Sequence, residues 1–161
     1  PYVQEHRIGV EGFSFGGTTT SMLVLRYPQY FCCGVAGGGV YDWNLYDSHY
    51  TERFMDTPQA NPEGYAEAGV LTWVPKVFAP ENISRPAPGA LKITHGTGDD
   101  NVHFQNSLLL VDALQREGYQ FELMIYPDGM HGYRGKQHLH DQTSDHIFWS
   151  RHLLGKPAAE Q

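Results

Sequence analysis

Apolar residues in this chain gather in four short runs set apart by polar, glycine-bearing stretches: Arg7 to Phe13, Cys32 to Gly37, Ala90 to Thr94 and Phe121 to Tyr126. Each run is short, and all but the small-residue Cys32 to Gly37 carry several branched or aromatic side chains, which reads as buried β-strands. Between and after them lie segments with helical spacing. Gly17 to Tyr27 is closed by Pro28, Val102 to Glu117 carries a leucine face, and a last helix is expected from about Gln142 to Leu153. Strands alternating with helices predict an α/β fold, a parallel sheet flanked by helices. One stretch breaks the alternation. Tyr41 to Pro88 is rich in proline, asparagine and aromatics, and is expected to form helical turns over one end of the sheet.

The first strand runs directly into Gly12-Phe13-Ser14-Phe15-Gly16-Gly17, a Gly-x-Ser-x-Gly sequence followed by a helix. That order suits a nucleophile elbow, where a serine is raised on a strained strand-to-helix turn and flanking glycines allow strand and helix to approach closely. The five-residue pattern alone also matches ordinary glycine-rich turns, so its context carries the argument. An elbow serine needs a base and an orienting acid, which in α/β-hydrolases follow in the order Ser, Asp or Glu, His. The loop after the third strand, His95-Gly96-Thr97-Gly98-Asp99-Asp100-Asn101, offers Asp99, and the loop after the fourth, Pro127-Asp128-Gly129-Met130-His131-Gly132, offers His131. All three lie at carboxyl ends of strands, where open α/β sheets gather their ligands. Asp100 or Asn101 is read instead as the N-cap of the helix expected from Val102.

These residues resemble the prolyl oligopeptidase family. The resemblance rests on the elbow, on Tyr46-Asp47-Ser48-His49-Tyr50-Thr51-Glu52-Arg53-Phe54-Met55, on His95 to Phe104 (HGTGDDNVHF) and on Asp128-Gly129-Met130-His131-Gly132. The second and third blocks point to the dipeptidyl peptidase IV branch. The resemblance implies the C-terminal half of an α/β-hydrolase fold with Ser14 as nucleophile, Asp99 as orienting acid and His131 as general base. It implies that the backbone N-H of Phe15 is an oxyanion donor, where the family usually has tyrosine. Val40, Trp43, Tyr46, Tyr50 and Val102 match positions lining a proline-sized pocket, and Asn101 matches a residue that binds the substrate backbone. From spacing alone, Trp43, Tyr46 and Tyr50 read as the buried face of one helix rather than as a pocket.

The implied activity is a serine peptidase releasing N-terminal dipeptides with proline or alanine second, through an acyl-enzyme and without a cofactor. A carboxylesterase or acylaminoacyl peptidase of the same fold, and a non-catalytic association module, are the alternatives. Four strands make only the second half of such a sheet, so residues 1–161 are expected to be one partial catalytic domain whose partner is the missing N-terminal part of the same polypeptide. Folded alone, the chain should pair its unpaired first strand with another copy or be unstable.

Composition changes this picture little. With 161 residues, 40% of them hydrophobic, the chain can bury one core. A net charge of -7 and scattered lysines and arginines argue against nucleic acid. No run approaches the length of a membrane span. The start at Pro1, without a leader-like segment, is expected of a fragment; the resemblance implies a periplasmic or secreted bacterial enzyme. Adjacent Cys32 and Cys33 are expected as free buried thiols, because a bond between neighbours is strained. His138, His140, His146 and His152 lack the spacing and carboxylate company of a metal site, so no metal is expected.

Overall fold

The computed structural model describes residues 2–79 and 89–155. Four parallel strands, β1 (Gly9–Phe13), β2 (Cys33–Gly37), β3 (Ala90–Gly96) and β4 (Phe121–Tyr126), lie side by side in sequence order. Parallel neighbours need crossovers, and the helices supply them. α1 (Phe15–Arg26) links β1 to β2, and α4 (Gln105–Arg116) links β3 to β4. The segment between β2 and β3 holds α2 (Ser48–Met55), α3 (Pro62–Ala68) and three single 3-10 turns; residues 80–88 of the expected insertion fall outside the described residues. α5 (Gly135–His152) closes the chain.

Alternation along β3 shows how the sheet is covered. Leu91 and Ile93 join Val24 and Leu25 of α1 and Leu110 and Leu114 of α4 in the main core. The opposite face of β2 packs Cys33 and Val35 on Phe148 of α5. On that face the Lys92 ammonium is buried and donates to Ser144 Oγ and Asp145 Oδ1, both at 2.7 Å, so the charge is paired as burial requires. β1 pairs with β2 and, among the described residues, with nothing else.

Three expectations need correction. α5 starts at Gly135 and not near Gln142, because its first two turns are polar and carry no apolar stripe to betray them. α4 begins at Gln105, after a looped turn, with Phe104 at its N-cap and no side chain capping it; neither Asp100 nor Asn101 caps it. Trp43, Tyr46 and Tyr50 do not share one helix: Trp43 is in a 3-10 turn, Tyr46 is extended, and Tyr50 belongs to α2. The cysteines are free, their sulfurs 3.6 Å apart, but only Cys33 is buried, its thiol pushed up to about 12 by burial; Cys32 is half-buried.

Candidate active site

Ser14 sits between β1 and α1 at φ 60° and ψ −122°, a left-handed conformation that costs a non-glycine residue about 1–3 kcal/mol. The surrounding contacts hold it there. Ser14 N-H donates to Gly37 O at 2.8 Å, and the Thr18 hydroxyl, one turn into α1, donates to Val40 O at 2.8 Å while accepting from Val40 N-H at 3.0 Å. A Cβ on Gly12 would strike the Gly16 backbone, so Gly12 is the glycine that the crossing demands; Gly16 itself faces open space.

The two remaining groups come from neighbouring loops. Asp99 follows β3 and is 5% exposed. Its Oδ1 accepts from the backbone N-H groups of Asn101 at 3.0 Å and Val102 at 2.9 Å, which anchors one oxygen of the carboxylate. His131 follows β4, with Nδ1 2.8 Å from Asp99 Oδ2 and Nε2 2.9 Å from Ser14 Oγ. The carboxylate accepts from Nδ1, so Nδ1 carries the proton and Nε2 is left to accept from the serine hydroxyl. Gly96 and Gly129 bring the two loops together: a Cβ on Gly96 would collide with the Gly129 backbone. The ring of Phe13 lies against His131, centroids 5.1 Å apart.

The six residues expected to line a pocket form one patch beside this constellation. Val40, Trp43 and Val102 are buried together with Tyr65, and Tyr46 packs on them. Tyr50 joins by stacking on Trp43 at 6.4 Å and meeting the Tyr46 ring edge-on at 5.4 Å. The Tyr46 hydroxyl donates to Asn101 Oδ1 at 2.8 Å, leaving the Asn101 amide N-H groups to donate elsewhere. Burial, with Asp47 and Tyr50 adding to it, keeps that hydroxyl protonated by raising its pKa. Phe15 touches Trp43 at 5.9 Å and so ties the patch to the elbow. Its N-H opens α1, where no intrahelical acceptor exists. An adjoining apolar hollow of about 580 Å³, walled by Phe15, Met22, Trp43, Tyr50 and Phe54, shares Trp43 and Tyr50 with the patch but is lined by neither Ser14 nor His131.

Reading residues one by one misses two features here. Thr18 carries no signal beyond its place in the helix from Gly17 to Tyr27, yet it clamps α1 to Val40. His95 was placed at the start of a polar loop, whereas β3 continues through Gly96 and His95 is wholly buried. Its alternation with Leu91 and Ile93 is the signal that would have found it. Among the described residues no three His, Cys, Asp or Glu side chains stand where they could hold a metal; His140 instead meets the Tyr126 hydroxyl at 3.2 Å and His152 meets Glu122 at 3.0 Å.

Comparison with known proteins agrees with this architecture. The chain is 42% identical over 150 residues to a probable dipeptidyl-aminopeptidase B of Uncinocarpus reesii, a match covering 90% of this chain and 15% of the relative. The crystal structure of Porphyromonas gingivalis dipeptidyl peptidase 4 superposes with a TM-score of 0.78 at 38% identity, over 92% of this chain and 20% of that one. A second crystal structure, from Bacteroides ovatus, gives 0.83 at 37% identity, over 97% of this chain and again 20% of its own. The chain therefore spans about a fifth or less of the length of these relatives. The sheet and helices are those of the α/β-hydrolase domain of such enzymes. The model of the prolyl oligopeptidase family matches residues 1–157, and the chain belongs to that family.

Proposed function

We propose that this chain is the C-terminal part of the catalytic domain of a longer serine peptidase, one that releases N-terminal dipeptides with proline or alanine at the second position. The observation that carries this reading is the hydrogen-bonded chain from Ser14 Oγ through His131 to Asp99 Oδ2, at 2.9 and 2.8 Å. Ser14 attacks the scissile carbonyl while His131 Nε2 takes its proton; Asp99 holds the imidazolium that forms. The Phe15 N-H, at the positive end of α1, donates to the oxyanion, and a second donor comes from the part of the protein that precedes this chain. His131 then returns the proton to the leaving amine, and water hydrolyses the acyl-enzyme by the same path in reverse. The aromatic patch suits a proline ring, which is compact, apolar and has no N-H to satisfy, and the Asn101 amide is placed to bind the neighbouring carbonyl.

The test is labelling by a fluorophosphonate, on this chain and on the longer polypeptide, each with Ser14→Ala as control. Labelling of the longer polypeptide at Ser14 is expected, together with faster turnover of Gly-Pro and Ala-Pro anilides than of short-chain nitrophenyl esters. A folded protein that never labels would overturn the catalytic reading, and preference for the esters would move it to a carboxylesterase.

A further inference from the structure

His95 is wholly buried on β3, and both of its ring nitrogens are engaged. Nδ1 lies 2.7 Å from Ser107 Oγ on α4, and Nε2 lies 2.8 Å from the carbonyl oxygen of Val102. The same Nε2 is 3.3 Å from Asp99 Oδ2, the oxygen that accepts from His131. A carbonyl can only accept, so Nε2 must carry the proton, which points mainly at Val102 O and is shared, over the longer 3.3 Å contact, with Asp99 Oδ2; in the neutral ring Nδ1 then accepts from the Ser107 hydroxyl.

We infer that His95 is a positioning residue for the Ser14, Asp99, His131 constellation: a neutral donor that locks the Asp99 carboxylate against His131 and, through the Val102 carbonyl, closes the loop carrying both the acid and one wall of the pocket. The inference rests on the catalytic reading of those three residues. Without His95, Oδ2 is held by His131 alone, and a carboxylate anchored on one side by Asn101 and Val102 is free to tilt. The charge state matters as much as the geometry. A cation at this place would neutralise Asp99 and weaken its support of the imidazolium at His131, whereas a neutral N-H orients the carboxylate and leaves its charge intact. Burial, the largest influence, pushes the pKa of His95 down and outweighs the opposing pull of Asp99. The titratable groups facing His95 are Asp99 and His131; Ser107 and the edge-on Phe104 ring, 5.6 Å away, carry no charge.

The sequence could not point to this role from type alone, because nine histidines are present and this one precedes the loop that carries the acid. Its position in the strand decides the matter. Lys92 reaches Ser144 of α5 and Thr94 accepts from Tyr133 just before it, so His95, on the other face of the strand, reaches Ser107 of α4, while the chain turning back at Val102 brings its carbonyl to the same ring.

The experiment compares His95→Gln with His95→Asn in the longer polypeptide, using Ala-Pro anilide hydrolysis and fluorophosphonate labelling. A glutamine amide nitrogen can stand where Nε2 stands, while an asparagine reaches only the Nδ1 place. His95→Asn is expected to lower kcat roughly 10–100-fold, the size of one hydrogen bond to a charged group, with a much smaller change in KM. His95→Gln should recover most of that loss. Ser107→Ala, a smaller perturbation of the core, releases Nδ1 to compete for the proton and should lower kcat severalfold in the same sense. Equal kcat in parent, Asn and Gln proteins, or a lowered melting temperature with kcat untouched, would overturn the inference. So would an unaltered kcat in Ser107→Ala. Failure of the parent to label at Ser14 would instead sink the catalytic reading beneath it.

Discussion

Asp141 on α5 shows what a single buried carboxyl does to the pH dependence of this fold. Its Oδ1 is buried without a partner, beside Asp145. Burial first, and the Asp145 charge second, lift its pKa from the ordinary 3.8 to about 6, with Tyr126 and Lys92 acting in opposition. A carboxyl whose folded pKa lies above its unfolded one binds its proton more tightly in the fold. Its penalty is absent below about pH 4, grows between about pH 4 and 6, and is complete above that. Asp141→Asn, which keeps the neutral shape, should therefore raise the melting temperature at pH 8 and leave it nearly unchanged at pH 4. Thermal unfolding of the parent and variant at the two values checks this; an equal gain at both would mean that packing and not charge is responsible. His95 acts in the other direction. Its depressed pKa means that the fold resists protonating it, so its contribution to stability is present above the ordinary histidine pKa near 6.5 and is lost as pH falls below it.

At the level of elements, the elbow depends on a joint as well as on Gly12. Thr18 ties the first turn of α1 to the strand-end backbone at Val40, through one hydroxyl that both donates and accepts. Thr18→Val preserves the volume, removes both bonds and leaves a buried N-H unsatisfied, which should destabilise by about 1–3 kcal/mol. The same change should slow fluorophosphonate labelling, because Val40 also belongs to the pocket patch. Chemical denaturation with labelling rates measures both, and a destabilised variant with an unaltered rate would show that the joint serves stability only. The four strands and the helix after the elbow were legible because apolar runs and glycine-bearing loops announce them. So was the constellation of Ser14, Asp99 and His131, since the strand ends place those loops in order. What escaped was less patterned. Residues 135–141, polar but for an exposed Leu139, hide the start of α5, and backbone acceptance by Asp99 Oδ1 makes one residue serve as both turn former and partner of His131. The aromatic residues at positions 43, 46 and 50 mimic a helical face while belonging to three different local conformations.

For the molecule as a whole, the decisive feature is the free side of β1. That strand carries Val10 and Phe13 and pairs on one side only among the described residues, so it presents a row of unsatisfied backbone groups that favours pairing with any available strand. The isolated 161-residue chain should associate as its concentration rises, and light scattering coupled to size exclusion would detect it. A chain that stays monomeric across the range would show that the edge is protected by other means. If β1 is paired on that side in a longer polypeptide, as the proposed function expects, that protein should not show the same dependence.

The serine, the acid and the base follow the first, third and fourth strands, and the sheet keeps the strands in the order in which they are made. During synthesis the nucleophile leaves the ribosome first, the acid 85 residues later by the difference of 99 and 14, and the base last. A nascent chain interrupted anywhere before β4 would carry a serine with nothing to take its proton. On the catalytic reading, an unfinished copy has no base for Ser14, and hydrolytic power would appear only once His131 has been made and β4 has joined the sheet.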